Sequence, residues 1–552
     1  MKRDELFDAI TNVGDGLVDE AAQTAPAKRK VHWLKFGAAA AVFTAVIGLG
    51  AGVLSGAVPL LPVGWGPGGN TAGSGHDGGS AFMRYAGPVF PLTALEGGEG
   101  LTAERALTYD FSLWTPAWRS NEEMARDDAQ RGIADYQEAL ASYNDCFEEG
   151  GLYTSSLDLL VSDAYTLTNP TGEDKTVTLL YPFVSSLGNL PDYQPVLTTD
   201  GGALEAQLHA GVYSGAFQGA IGADNQETGS INLKDFDSWE DYRDLLDGGA
   251  YQARALDPFP DLSRIPVTAY RFTSPWGPKR EAGVTNPSIH AAFSLDYDKT
   301  AILSYGFHGG CWDREAGTMD QSFSIPEPEL PGYEQHPCYL FVLGEPVEDW
   351  RVFATSSGAP EAEEDLEFGA EAGVTVERYG TDLESALRTA AELLYGAGED
   401  EGEKPGFDLY FGLMKRDMAA YGPLSGSPKE RYGDGRLDDA DFSLVDRVFY
   451  LEAQATVPAG GSVTVEARFR KDPSYDYYCA RTDNQGVYGY DMVTRLGSAL
   501  DFTALTARAV NTESAEIVRQ NYGFDWENGI SSVTLDPAEE HYYLEVRRIE
   551  AD

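Results

Sequence analysis

Basic residues are scarce in this chain: 40 Lys and Arg stand against 88 Asp and Glu over 552 residues, a formal charge of −48. That deficit excludes nucleic acid and anionic lipid as the main partners, since both are polyanions. Cysteine is nearly absent too, with four residues at Cys146, Cys311, Cys338 and Cys479. Several enzyme signatures are missing: there is no G-x-S-x-G elbow, phosphate-binding P-loop, HExxH helix or Rossmann dinucleotide fingerprint. Global disorder is excluded in turn, because 42% apolar and 12% aromatic residues can fill substantial cores.

One absence is local. From Phe36 to Trp65 there is no charged residue, and 23 residues of that stretch precede Pro59. As a helix they would reach roughly 34 Å, enough to cross a hydrocarbon core of about 30 Å. Lys28, Arg29, Lys30 and Lys35 crowd the N-terminal side, while no Lys or Arg follows before Arg84. The positive-inside rule therefore places the N-terminus in the cytoplasm and the bulk of the chain outside. Trp33 and Trp65 flank the span where indoles favour the interface. A cleaved signal peptide is the competing reading, but its apolar region is typically about half this length. The expected organisation is a cytoplasmic tail (1–32), a transmembrane helix (33–62), a Gly/Ser-rich linker (63–81) and two extracellular regions (82–350 and 351–552). Residues 82–552 carry 81 acidic and 34 basic side chains, a net of −47.

In the tail, Leu6, Ile10, Val13 and Leu17 fall on one helical stripe, interrupted by Gly14 and Gly16. Such a stripe needs a cover, either a cytoplasmic protein partner or the inner leaflet, and the acids around it weigh against the leaflet. The order MKRDELFDAI, LVDEA and KRKVHWLK, followed at once by an Ala-rich span, resembles the tails of single-pass membrane proteins of Gram-positive bacteria. Some of these are similar to anti-sigma factors. The resemblance covers about 60 residues and implies a tail that holds a cytoplasmic regulator; the His/Cys zinc cluster of one anti-sigma class has no counterpart here.

Beyond the linker the pattern predicts an α+β region in which β dominates. Val161, Tyr165 and Leu167 alternate with polar residues, NPTGED turns the chain, and Val177, Leu179 and Tyr181 alternate again. Phe449 to Val457 and Val463 to Phe469 repeat the pattern around PAGG. Both read as antiparallel hairpins with one buried face and resemble strand-turn-strand units of bacterial immunoglobulin-like modules. Phe293–Leu295 with Ala301–Phe307, and Ser532–Leu535 with Tyr542–Val546, read as further hairpins. Strands are also predicted at Val267–Phe272 and Tyr339–Val342. Thr381 with Glu384 forms a capping-box pattern ahead of a helix ending at Gly396. Other helices are expected at Asn121–Glu148, Ser238–Leu246 and Asp408–Tyr421, and a domain boundary near residue 350.

Two constellations carry chemistry. In YGFHGGCWD and EQHPCYL, His308, Cys311, His336 and Cys338 supply the donors of a Cys2His2 zinc site. The same cysteines, closest in sequence, are the expected disulfide Cys311–Cys338, which would consume both sulfurs. A Cys311 nucleophile served by His308 is a third option, without an orienting acid in view. In YGDGRLDDADFSLVD, Asp434, Asp438 and Asp441 match the second half of a calcium loop, but Tyr432 occupies a ligand position in the first half. A solvated acidic turn is the simpler expectation there.

The sequence thus points to a membrane-anchored extracytoplasmic binding or signalling protein. An anchored extracellular hydrolase with an unrecognised acid pair is the alternative.

Overall fold

The computed structural model describes residues 82, 84–130, 135–147, 149–200, 202–212, 239–273, 285–326, 336–358, 374–396, 406–425, 433–438, 440, 442–443, 446–476 and 484–549. The expected tail, span and linker lie outside them. Among the described residues no helix is long and apolar enough to cross a membrane.

Strands dominate. In chain order they are β1 Thr93–Glu96, β2 Thr102–Asp110, β3 Ala117–Ser120, β4 Gly151–Thr154, β5 Leu159–Thr168, β6 Lys175–Ser185, β7 Val196–Thr199, β8 Gly202–Ala203 and β9 Ala206–Ala210. Next come β10 Pro266–Phe272, β11 Ser288–Ser294, β12 Thr300–Tyr305, β13 Gly309–Asp313, β14 Thr318–Ser324, β15 Cys338–Gly344, β16 Glu348–Thr355 and β17 Val376–Asp382. The last are β18 Arg447–Val457, β19 Ser462–Lys471, β20 Ser474–Tyr475, β21 Val487–Val493, β22 Asp501–Val510, β23 Ala515–Gln520, β24 Ser532–Leu535 and β25 His541–Arg548. The helices are α1 Asn121–Gln130, α2 Tyr136–Cys146, α3 Leu190–Tyr193, α4 Trp239–Leu246, α5 Ala250–Leu256, α6 Leu383–Gly396 and α7 Phe407–Tyr421.

A seven-stranded sheet, in the order β24-β22-β2-β5-β19-β7-β8, forms the backbone of the fold. Its pairs are antiparallel except β2 with β22. One of its faces packs on the sheet β1-β6-β18-β9 through Ala103, Tyr165, Leu167, Val463 and Val465, and elsewhere on the sheet β20-β21-β25-β23 through Leu107, Tyr109 and Val161. The β1-β6-β18-β9 sheet is covered on its other face by α4 and α5, which pack on Leu180, Val448 and Tyr450. Burial on both faces explains why β6 reads as an unbroken buried run from Val177 to Phe183. A second pair of sheets, β12-β15-β10-β17 and β13-β14-β11-β16, encloses Phe272, Ile289, Phe293, Phe323 and Leu340. The outer face of its β12-β15-β10-β17 member receives α6 and α7.

The parity of each expected hairpin is right and its pairing is not. β5 and β6 do not pair; β5 joins β19 and β6 joins β18. β18 and β19 separate in the same way, as do β11 from β12 and β24 from β25. Each unit is an arch: the chain leaves one sheet, turns, and enters the sheet facing it. Both arrangements bury alternate residues, so a period of two cannot tell them apart. The two arch turns at 169–174 and 458–461 are fastened to each other. Asn169 Nδ2 donates to the Val457 carbonyl at 3.1 Å, Asn169 N to that of Gly461 at 2.9 Å, and Gly460 N to that of Thr171 at 2.9 Å.

The expected boundary near residue 350 is crossed repeatedly, because β18, β19, β22 and β24 complete sheets begun by β1 to β9. The single helix expected over 121–148 is two, with Asp135 capping the second through Gln137 N at 2.9 Å. α6 is present, but Asp382 caps it, accepting from Ser385 N at 2.9 Å. Glu384 instead accepts from Leu262 N at 3.0 Å and from Lys415 Nζ at 2.9 Å.

Candidate functional site

The two sequence constellations meet, though not as metal sites. The segment around Gly435 lies along β12: Ser304 N donates to the Gly435 carbonyl and Leu437 N to the Ser304 carbonyl, both at 2.8 Å. Gly435 has φ +77° and an added Cβ would stand 2.1 Å from the Ile302 carbonyl oxygen, so only glycine fits that approach. This contact delivers Asp438 to the Gly306 amide, which donates to its Oδ2 at 2.9 Å, with His308 Nδ1 at 3.5 Å from the same oxygen.

The cysteines diverge. Cys338 is buried at the start of β15, its Sγ 3.5 Å from the Gly306 carbonyl, whereas Cys311 is exposed on the edge strand β13 of the facing sheet. No disulfide joins them. Burial, with a lesser push from Asp438, raises the Cys338 thiol to about 12, so without a bound cation it carries almost no thiolate near neutral pH. His308 and His336 are exposed, and among the described residues no three His, Cys, Asp or Glu side chains converge as a metal site. The Cys2His2 expectation fails because three of its donors, His308, Cys311 and His336, are exposed while Cys338 is buried in an apolar layer.

The calcium expectation fails similarly for its described members. Asp434 accepts from Arg436 N at 3.0 Å in a local turn, while Asp438 serves Gly306 and His308. Asp441 and the tail residues Leu6, Ile10, Val13 and Leu17 lie outside the described residues.

Sequence reading missed a charged cleft between 84–90 and the ends of β18 and β19. Arg84 Nη2 contacts Asp472 Oδ2 at 2.7 Å, and Lys471 Nζ binds the Ala86 carbonyl at 2.9 Å. Arg470 Nη2 and Tyr193 Oη share Asp158 Oδ2 at 2.6 and 3.2 Å. Burial opposes the charge of Arg84, but Asp472 and Asp446 more than offset it and raise its pKa. Asp446 carries the opposite perturbation: burial and the nearby Asp472 push its carboxyl up to about 6, against the pull of Arg84 and Lys471. A carboxyl that titrates near 6 beside a second carboxylate can supply an acid and a base in mildly acidic solution. The adjoining gap, lined by Phe90, Tyr181, Phe183, Tyr193 and Phe469, has room for little more than one water.

Two buried histidines are held in hydrogen-bonded chains. His290 joins Asp320 Oδ1 at 2.8 Å through Nδ1 and Thr355 Oγ1 at 3.2 Å through Nε2. The order matches that of a nucleophilic triad, yet Thr355 has no exposed surface, so the chain fastens β11 to β14 and β16. His541 joins Asp491 Oδ2 at 2.8 Å, and Tyr85 donates to the same oxygen. Parity carries no signal for these: His290 alternates with Ile289 and Ala291, and His541 with Tyr542 and Leu544, so each lies on the strand face opposite its apolar core residues.

Compared with known proteins, the chain matches no protein-family model, no curated protein and no solved structure.

Proposed function

We propose that this chain is a membrane-anchored extracytoplasmic binding or signalling protein, with a cytoplasmic tail that engages a regulator. The observation carrying the reading is the uncharged stretch from Phe36 to Trp65 with four basic residues on one side, followed by a Gly/Ser-rich spacer and a large β-rich body. The immunoglobulin-like resemblance supports a binding role at the level of layered sheets, although the units are arches. The anti-sigma-like resemblance and the stripe of Leu6, Ile10, Val13 and Leu17 support the regulator. The test is alkaline carbonate extraction of membranes from cells expressing the full chain, with capture of cytoplasmic proteins by residues 1–32. Retention in the pellet with a reproducible sigma-factor-like partner is expected; release into the supernatant contradicts the anchor, and an empty capture contradicts the regulatory half.

The second reading, an anchored hydrolase, is favoured by one observation, the Asp446–Asp472 pair. It requires hydrolytic activity that Asp446→Asn abolishes while the variant remains folded.

A further inference from the structure

Between Trp114 and Leu157 the chain leaves the sandwich to build a small unit of its own: β3, α1, α2 and β4. Its ribbon presents two large aromatic side chains to solvent. Trp118 and Tyr153 are direct cross-strand partners, 44% and 69% exposed, with ring centroids 5.2 Å apart and planes at 71°. Exposed aromatics are usually scattered singly; a matched pair calls for an explanation.

The pair is held in place. A Cβ on Gly151 would stand 2.8 Å from Trp118 Cζ2 and 2.3 Å from the Arg119 carbonyl oxygen, so the bare backbone of Gly151 is what admits the indole. The ribbon is tied to α1 by a reciprocal capping box, with Ser120 N donating to Glu123 Oε2 at 2.9 Å and Glu123 N to Ser120 Oγ at 3.2 Å. Arg119 Nη2 reaches Asp127 Oδ2 at 2.7 Å. Asn121 Nδ2 closes the helix pair through Asn144 Oδ1 at 2.9 Å and the Phe147 carbonyl at 3.1 Å. Rigid Trp and Tyr side chains on a fixed base dominate binding because little conformational freedom remains to be lost.

Charge selects the partner. Residues 117–154 contain nine acidic and three basic residues, a net of −6, within a body at −47. The negative faces of the two rings and the field around them both favour a cation. We infer that the Trp118–Tyr153 ribbon is a docking surface for a basic protein segment, whose Lys or Arg side chains lie over the rings. This gives the binding role proposed above a surface and a partner class, and rests on that reading only for the compartment.

The test uses the purified full chain in non-ionic detergent and a fluorescein-labelled Arg/Lys-Gly peptide, titrated by anisotropy at physiological salt to screen diffuse attraction. The expected result is affinity at least about tenfold weaker in the Trp118→Ala/Tyr153→Ala variant, near wild type in Trp118→Phe/Tyr153→Phe, and unchanged in the exposed-aromatic control Trp312→Ala. Equal affinity in all four proteins overturns the inference. So does a double variant that loses binding to a neutral N-acetylglucosamine oligomer while keeping the peptide. Because this readout needs no membrane, its failure is separate from failure of carbonate retention.

Discussion

Asp446 precedes β18 beside Arg84, Lys471 and Asp472. In the unfolded chain it titrates near the ordinary value of about 3.9, and in the folded chain near 6. The folded state therefore holds its proton to higher pH, so the contribution is full below about pH 4 and lost as pH rises through 6. Asp446→Asn removes that loss and is expected to raise stability by about 2 kcal/mol at pH 7.5, with little change at pH 4. Urea denaturation at the two pH values checks it; an equal effect at both would place the carboxyl in solvent. Arg105 illustrates the opposite treatment of charge. It is fully buried, yet its Nε meets Asp163 Oδ1 at 2.8 Å, its Nη1 meets the Val493 carbonyl at 2.7 Å, and Tyr165 and Tyr181 complete the carboxylate. Strand parity puts Arg105 in register with Ala103 and Leu107, and Asp163 with Val161 and Tyr165, on the buried faces of β2 and β5, but parity alone does not show that the two meet.

At the scale of elements the sequence was a good guide to what is buried and a poor one to what pairs. Tyr165, Leu167, Val177, Leu179, Leu451 and Val465 all face the core as their alternation predicts. Turn chemistry at NPTGED and PAGG marks where the chain reverses, but a reversal within a sheet and one between sheets use the same residues. Thr166 and Thr464 are opposite each other on β5 and β19, so Thr166→Cys/Thr464→Cys is expected to form a disulfide on oxidation. Thr456→Cys/Thr464→Cys, the pair a hairpin would align on its wet face, is expected to stay reduced because the two residues sit in different sheets about 10 Å apart. Peptide mapping by mass spectrometry distinguishes the two; a 456–464 bond would restore the hairpin. The metal constellations failed for a related reason. Spacing brought His308 near Cys311 and His336 near Cys338, but the two cysteines lie on strands of facing sheets, β13 and β15.

For the whole molecule, interleaved sheets tie the beginning of the body to its end, so loss of β18 or β19 removes partners from strands nearly 300 residues away. The −48 that excludes polyanionic partners resides almost entirely in this body, where it favours solubility and cationic ligands. The central claim is that the body lies outside the membrane that its N-terminal stretch crosses. Cys146, exposed at the end of α2, provides a native reporter. Intact cells expressing the full chain are treated with a membrane-impermeant maleimide, and Cys146 is mapped by mass spectrometry with and without prior lysis. The account predicts the same labelling in both; labelling of Cys146 only after lysis would contradict it.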